Sequence, residues 1–202
     1  MAYLILIRHG ITDWNIEGKW QGLTDTFLSK EGKKQAKEVA EILRGMRIDE
    51  VYTSELSRTK QMYQEICNSL SLSCPVFHNP ALNERDYGIY TSKNKWEVEK
   101  QLGHEKFIQI RRGWDYPIPE GESLVDVYNR VVPFYKERIL RDLKERKNVL
   151  VISSGNTLRA LMKYLENISD EDIARLELGF GEIYIFEIDS KGKILGKRIL
   201  TH

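Results

Sequence analysis

The chain has 202 residues, 41% hydrophobic and 30% charged, so it is long enough for one globular domain whose core needs no disulfide or metal. Lys and Arg total 31 against 30 Asp and Glu, which excludes a bulk positive field of the kind that binds nucleic acid or an anionic membrane. Any affinity for anions has to be local.

The first element expected is a buried parallel strand, Leu4-Ile5-Leu6-Ile7, stopping abruptly at Arg8-His9-Gly10. The apolar segment from Tyr3 to Ile7 is too short for a signal sequence or a membrane span, which gives a cytoplasmic protein as the expectation. From Ile11 to Phe27 no apolar period exists, and Asp13, Trp14, Asn15, Trp20, Gln21 and Gly22 mark a functional loop. Behind Ser29, the apolar positions Ala36, Val39, Ala40 and Leu43 predict an amphipathic helix, and Asp49 to Thr53 a short strand.

A second helix is expected after Ser54, with Arg58 near its start and Met62, Ile66 and Leu70 on one face; Pro75-Val76-Phe77 reads as a short extended piece. Cys67 and Cys74, without a CxxC pattern, read as two buried free thiols. The stretch from Asn79 to Gly121 reads as irregular and polar. It carries Glu84, Arg85, Tyr87, Lys95, Arg111 and Arg112, and an excursion of about this length (79–121) predicts a lid or binding insert.

Leu124, Val127, Val131 and Phe134 predict another helix, bent at Pro133. Val149 to Ile152 is the second all-apolar strand and ends on Ser153-Ser154-Gly155-Asn156, followed by a helix burying Leu158, Leu161, Met162 and Leu165. Gly181–Asp189 and Lys193–Leu200 close the chain as a hairpin across Lys191-Gly192. Alternating strands and helices imply an α/β three-layer sandwich, a mostly parallel central sheet with helices on both faces, in one domain spanning 1–202. The strands ending at Ile7 and Ile152 then bring His9 and the Ser154 turn to one sheet edge.

At that edge, convergence of Arg8 and Arg58 on His9 would disfavour the imidazolium and keep the ring neutral, as a nucleophile attacking phosphorus has to be, with no metal required. Backbone N–H groups at Gly155-Asn156 open a helix N-terminus suited to phosphate oxygens, and Glu84 is placed to carry a proton. The competing readings are a histidine that only caps a strand, arginines on solvated faces, and Glu84 in a salt bridge to Arg85 or Lys95. No GxGxxG, GxxxxGK[ST] or GxSxG motif and no zinc spacing among the four histidines offers another chemistry.

The residues Arg8-His9-Gly10, Trp14-Asn15, Gln21-Gly22, Val51 to Ser54 through Arg58, Leu82 to Gly88, Lys95, Arg111-Arg112 and Gly155 to Leu161 together resemble the histidine phosphatase superfamily. Within it, the chain is similar to the cofactor-dependent phosphoglycerate mutases. The resemblance implies a phosphoglycerate mutase-like fold, His9 as the phosphorylated residue, Arg8 and Arg58 as phosphate holders, and Glu84 as proton donor and acceptor. It implies further that Asn15, Gln21, Gly22, Arg85, Tyr87, Lys95, Arg111, Arg112, Gly155 and Asn156 line the site. The implied reaction exchanges phosphate between the 3- and 2-hydroxyls of glycerate, in glycolysis and gluconeogenesis, primed by 2,3-bisphosphoglycerate.

Several departures qualify that implication. Ser154 stands where the family carries its second active-site histidine, and losing one such donor commonly costs about 10²–10³ in rate, so an impaired site is expected. Ile11 replaces a Glu or Gln, and Gln21 a Thr. The short segment from Arg112 to Gly121 and an end at His202 give an expectation of phosphatase leakage and of a monomer or small homo-oligomer. The alternatives are a phosphatase of other esters and a protein that binds a small phosphorylated carboxylate without turnover.

Overall fold

The computed structural model describes residues 1–201. Six strands form a single sheet: β1 (Ala2–Arg8), β2 (Glu50–Thr53), β3 (Val76–His78), β4 (Val149–Ser153), β5 (Ile183–Ile188) and β6 (Ile194–Leu200), in the order β3-β2-β4-β1-β5-β6. β3, β2, β4 and β1 are parallel, while β5 and β6 add an antiparallel hairpin beyond β1. β1 and β4 are neighbours with Ile7 opposite Ile152 and Arg8 opposite Ser153. Their carboxyl ends therefore open side by side, the place where ligands of such sheets bind.

The apolar runs of β1 and β4 lack alternation because both faces are covered. On one face, Ile5, Ile7, Leu150 and Ile152 pack against α2 (Lys30–Leu43) and α3 (Ser57–Leu70). On the other, Leu4, Leu6, Val149 and Val151 meet α6 (Leu124–Phe134) and α8 (Gly155–Glu166). Each of the four helices presents an apolar stripe at helical spacing, and Ser29 caps α2 by accepting the Gly32 N–H. No helix among the described residues is long and apolar enough to cross a membrane.

Three details differ from expectation. The loop after β1 contains one helical turn, α1 (Asp13–Ile16), closed by a reciprocal cap between Thr12 and Asn15. The stretch from 79 to 121 is not irregular: it holds α4 (Lys95–Leu102) and α5 (His104–Arg112), separated by Gly103 at φ +82. These helices bury only Val98, and Phe107 with Ile110, which is too few positions to leave a periodic signature. Those side chains form a separate small core with Trp20, Tyr87, Tyr90 and Ile118, so the indole of the first loop is the plug of the insert.

Pro133 sits in the last turn of α6, and a π-turn (Tyr135–Ile139) follows before α7 (Leu140–Lys144). The ring removes a donor and crowds the carbonyl four residues back, and the wider turn absorbs that change within one rod. Cys67 and Cys74 are free but half-buried rather than buried, because they lie at and beyond the last turn of α3, off its apolar stripe.

Candidate active site

Packing around Gly10 fixes where the first loop leaves the sheet. A Cβ on Gly10 would lie 2.5 Å from the carbonyl oxygen of Gly32, and one on Gly32 would lie 2.1 Å from that of Ile11. Loop and α2 thus touch backbone to backbone, and this contact sets His9 at the end of β1.

His9 is 2% exposed. Its Nδ1–H donates to the carbonyl of Gly10 at 2.7 Å, which leaves the Nε2 lone pair free. Burial, then the guanidinium charges of Arg58 and Arg8, hold its pKa well below the usual 6.5, so the ring is neutral at physiological pH. The convergence of Arg8, Arg58 and His9 at one edge follows from the topology: β1 ends on Arg8 with His9 the next residue, and α3 begins just past β2, one strand beyond β4.

Both arginines are also struts. Arg58 is fully buried and donates from Nη1 to the Thr24 carbonyl and Thr26 Oγ1, and from Nη2 to the Gly22 carbonyl. Desolvation lowers its pKa to about 10, so it stays charged. Arg8 donates from Nη1 to the Leu178 carbonyl at 2.7 Å, and its guanidinium lies 3.7 Å from the ring centroid of Phe180.

A cavity of about 180 Å³ opens over His9. Of the residues expected at the site, Arg8, His9, Asn15, Gln21, Gly22, Arg58, Glu84, Tyr87, Lys95, Arg111, Arg112, Gly155 and Asn156 line it. Gln21 Oε1 accepts from the hydroxyls of Thr12 and Thr26, which turns its amide N–H2 away from them as a donor. Asn15 Oδ1 is likewise taken by Thr12.

Glu84 makes neither of the salt bridges weighed for it. Its Oε1 accepts the backbone N–H of Arg85 at 2.7 Å and of Asn156 at 3.2 Å, so the carboxylate sits at the N-terminus of α8. The Asn156 N–H expected to hold phosphate is therefore already engaged.

Two expected site residues do not line the cavity. Ser154 is fully buried at the N-cap position just before α8, and its Oγ has no hydrogen-bond partner among the described residues; a serine is too short to emerge from there. Arg85 is fully buried below Tyr87, its guanidinium 4.4 Å from that ring, and Nη2 donates to the carbonyl of Ile110 at 2.8 Å.

Lys19, Trp20, Arg159, Glu177 and Leu178 also line the cavity and were not expected there. Glu177 forms an ion pair with Arg112, and Lys19 one with Glu17 at 2.6 Å. No motif marks Glu177 or Leu178, which arrive through the segment before β5; Trp20 was visible only as a loop aromatic. Among the described residues no carboxylate pairs with Lys95 or Arg111. Burial and the neighbouring guanidiniums lower the Lys95 pKa to about 8. The cavity therefore has the charge of an anion site, with a neutral imidazole and two carboxylates, Glu84 and the Arg112-paired Glu177, at its wall.

The chain matches the family model of the histidine phosphatase superfamily (branch 1) over residues 4–198. A 2,3-bisphosphoglycerate-dependent phosphoglycerate mutase of Cytophaga hutchinsonii is 39% identical over 191 residues, covering 95% of this chain and 90% of the relative. Phosphoglycerate mutase 1 of Saccharomyces cerevisiae is 35% identical, covering 96% and 90%. Among solved structures, a putative alpha-ribazole-5'-P phosphatase from Escherichia coli superposes with a TM-score of 0.84 at 26% identity, covering 100% of this chain and 98% of that one.

Proposed function

Because the chain belongs to the histidine phosphatase superfamily, we propose that it is a phosphoglycerate mutase acting in the cytoplasm: it interconverts 3-phosphoglycerate and 2-phosphoglycerate through a phosphohistidine at His9. The observation that carries this reading is the charge of the cavity. Arg8 and Arg58 flank the imidazole, and the segment from 79 to 121 adds Lys95, Arg111 and Arg112, more positive charge than a phosphate monoester alone requires. A phosphorylated carboxylate uses all of it.

The residues divide the work as follows. His9 Nε2, kept neutral by the two guanidiniums, attacks phosphorus while Nδ1–H stays on the Gly10 carbonyl. Arg8 and Arg58, already fixed by backbone carbonyls, stabilise the charge on the phosphoryl oxygens with little reorganisation. Glu84 gives and takes the proton of the glycerate hydroxyl, and Gln21 and Asn15 offer their amide donors to the same group. The unpaired cations Lys95 and Arg111 suit 2,3-bisphosphoglycerate, a more anionic ligand than the substrate, and Arg8, Arg58, Lys95 and Arg111 would hold it. When bound, that compound supplies the phosphoryl group that primes His9.

A second reading, a histidine phosphatase of another phosphate ester, is favoured by the phosphatase named among the structural relatives and by Ser154, which lies outside the cavity. A third, binding without turnover, rests on Ser154 alone. Incubation with 2,3-bisphosphoglycerate should place acid-labile phosphate on His9, and 3-phosphoglycerate turnover should register when coupled to enolase. Ser154→His should raise turnover by about 10²–10³ by restoring a second imidazole donor. Phosphate release without 2-phosphoglycerate selects the phosphatase; an unlabelled His9 in both proteins sinks the enzymatic readings.

A further inference from the structure

The four carbonyls that end a helix have no partners within it, and at α5 those carbonyls belong to the turn that carries Arg111 and Arg112. Two guanidiniums reach them. Arg85 Nη2 donates to the carbonyl of Ile110 at 2.8 Å and to that of Arg111 at 3.5 Å, and Arg159 Nη2 donates to that of Arg112 at 3.1 Å. Arg85 is 0% and Arg159 3% exposed, and neither has a carboxylate partner among the described residues.

Burying a cation that no carboxylate answers is expensive, and a neutral side chain would satisfy one carbonyl more cheaply. What a guanidinium adds is a planar fork on two or three acceptors at the negative end of the helix dipole. Here the forks are also tied to each other. Arg159 Nη1 donates to Asn156 Oδ1 at 2.9 Å, Asn156 Nδ2 donates to Tyr87 Oη at 2.9 Å, and the Tyr87 ring lies on Arg85. Arg159 Nη2 also donates to the Ile173 carbonyl at 2.7 Å. The end of α5 is thereby clamped to the N-terminal turn of α8, which borders the cavity.

We propose that Arg85 and Arg159 are positioning residues for substrate choice: by holding the last carbonyls of α5 they set the backbone from which Arg111 and Arg112 reach the carboxylate of the substrate. The inference rests on the reading of the substrate as a phosphorylated carboxylate. It assigns Arg85, which the motif placed in contact with the substrate, to the layer beneath it. Preference for a carboxylate-bearing ester then depends on two side chains that do not bind it.

Calorimetry on the full chain with 3-phosphoglycerate and with glycerol 3-phosphate, which has the same skeleton without the carboxylate, reads that preference whether or not the protein turns over. Arg112→Ala should reduce the ratio of the two Kd values about tenfold. Arg159→Lys and Arg85→Lys, which keep the charge but lose the fork, should reduce it by a similar factor. In an Arg112→Ala background, Arg159→Lys should reduce it no further. If Arg85→Lys does not fold, Arg159→Lys decides the matter. A preference lost in Arg112→Ala yet intact in Arg159→Lys overturns the inference, as does an equal loss of affinity for both ligands, which is the mark of a merely structural arginine. A parent protein without preference overturns the substrate reading and the inference with it. A preference that survives both Arg111→Ala and Arg112→Ala shows instead that the carboxylate is bound elsewhere.

Discussion

His9 donates its Nδ1 proton to the carbonyl of its own neighbour, Gly10, at 2.7 Å, so the nitrogen facing away from the chain is the basic one. With burial and two guanidiniums opposing a second proton, the ring stays neutral under conditions where an exposed histidine is charged.

The acid limb of kcat/KM should therefore fall below pH 6.5 in the wild type, because that parameter reports the free protein. Stability follows the same sign. The unfolded chain takes up a proton at this position near pH 6.5 and the folded one resists it, so the contribution is fully present above that pH and is lost as pH falls below it. Thermal melts from pH 7.5 to 5 should show the wild type losing more stability than His9→Asn. Parallel curves would mean that His9 titrates normally.

Lys95, with its pKa near 8, should give the alkaline limb. Raising the pH through 8 removes its charge and weakens capture of the anionic substrate, so kcat/KM should decline there. Lys95→Arg keeps a charge throughout and should flatten that limb while leaving the acid one in place. A decline with the same midpoint in Lys95→Arg assigns it to another group.

Thr26 serves two site residues at once, donating to Gln21 Oε1 and accepting from Arg58 Nη1 at 3.3 Å. Thr26→Val removes both bonds, leaving Gln21 Oε1 with Thr12 alone and one buried Arg58 N–H without an acceptor, a loss of about 1–3 kcal/mol. Turnover should drop by roughly tenfold, taking the lower half of that range. Thr26→Ser should restore it. Steady-state rates on the pair decide whether the hydroxyl or the methyl group matters.

Gly10→Ala sets a methyl group 2.5 Å from a backbone oxygen, where no side chain can turn aside. Overpacking of this kind costs about 1–3 kcal/mol, each of which lowers Tm by roughly 2–4 °C in a chain of this size. The displaced loop should also lower the yield of phosphorylated His9, which distinguishes this variant from a core substitution of equal cost.

What the sequence determined by itself was the sheet, the faces of its helices and the chemistry of one edge. Unbroken apolar runs at Leu4–Ile7 and Val149–Ile152 admit only strands covered on both sides, and helical spacing in α2, α3, α6 and α8 says which residues cover them. Motifs named most of the cavity wall for the same reason: those side chains follow strand ends or open helices, and their placement is local.

Tertiary structure alone decided the rest. Nothing local tells that Trp20 plugs a core built from residues near 90 and 107, or that Glu177 comes to Arg112. The same holds for Arg85, which looks like a binding residue in the sequence and is placed beneath the site by carbonyls at the end of α5, and for Arg159, which no expectation singled out and which reaches that same helix end from the cavity wall. A side chain's type states what it can bond; only the packing of distant segments states which partners are left for it once water has been removed.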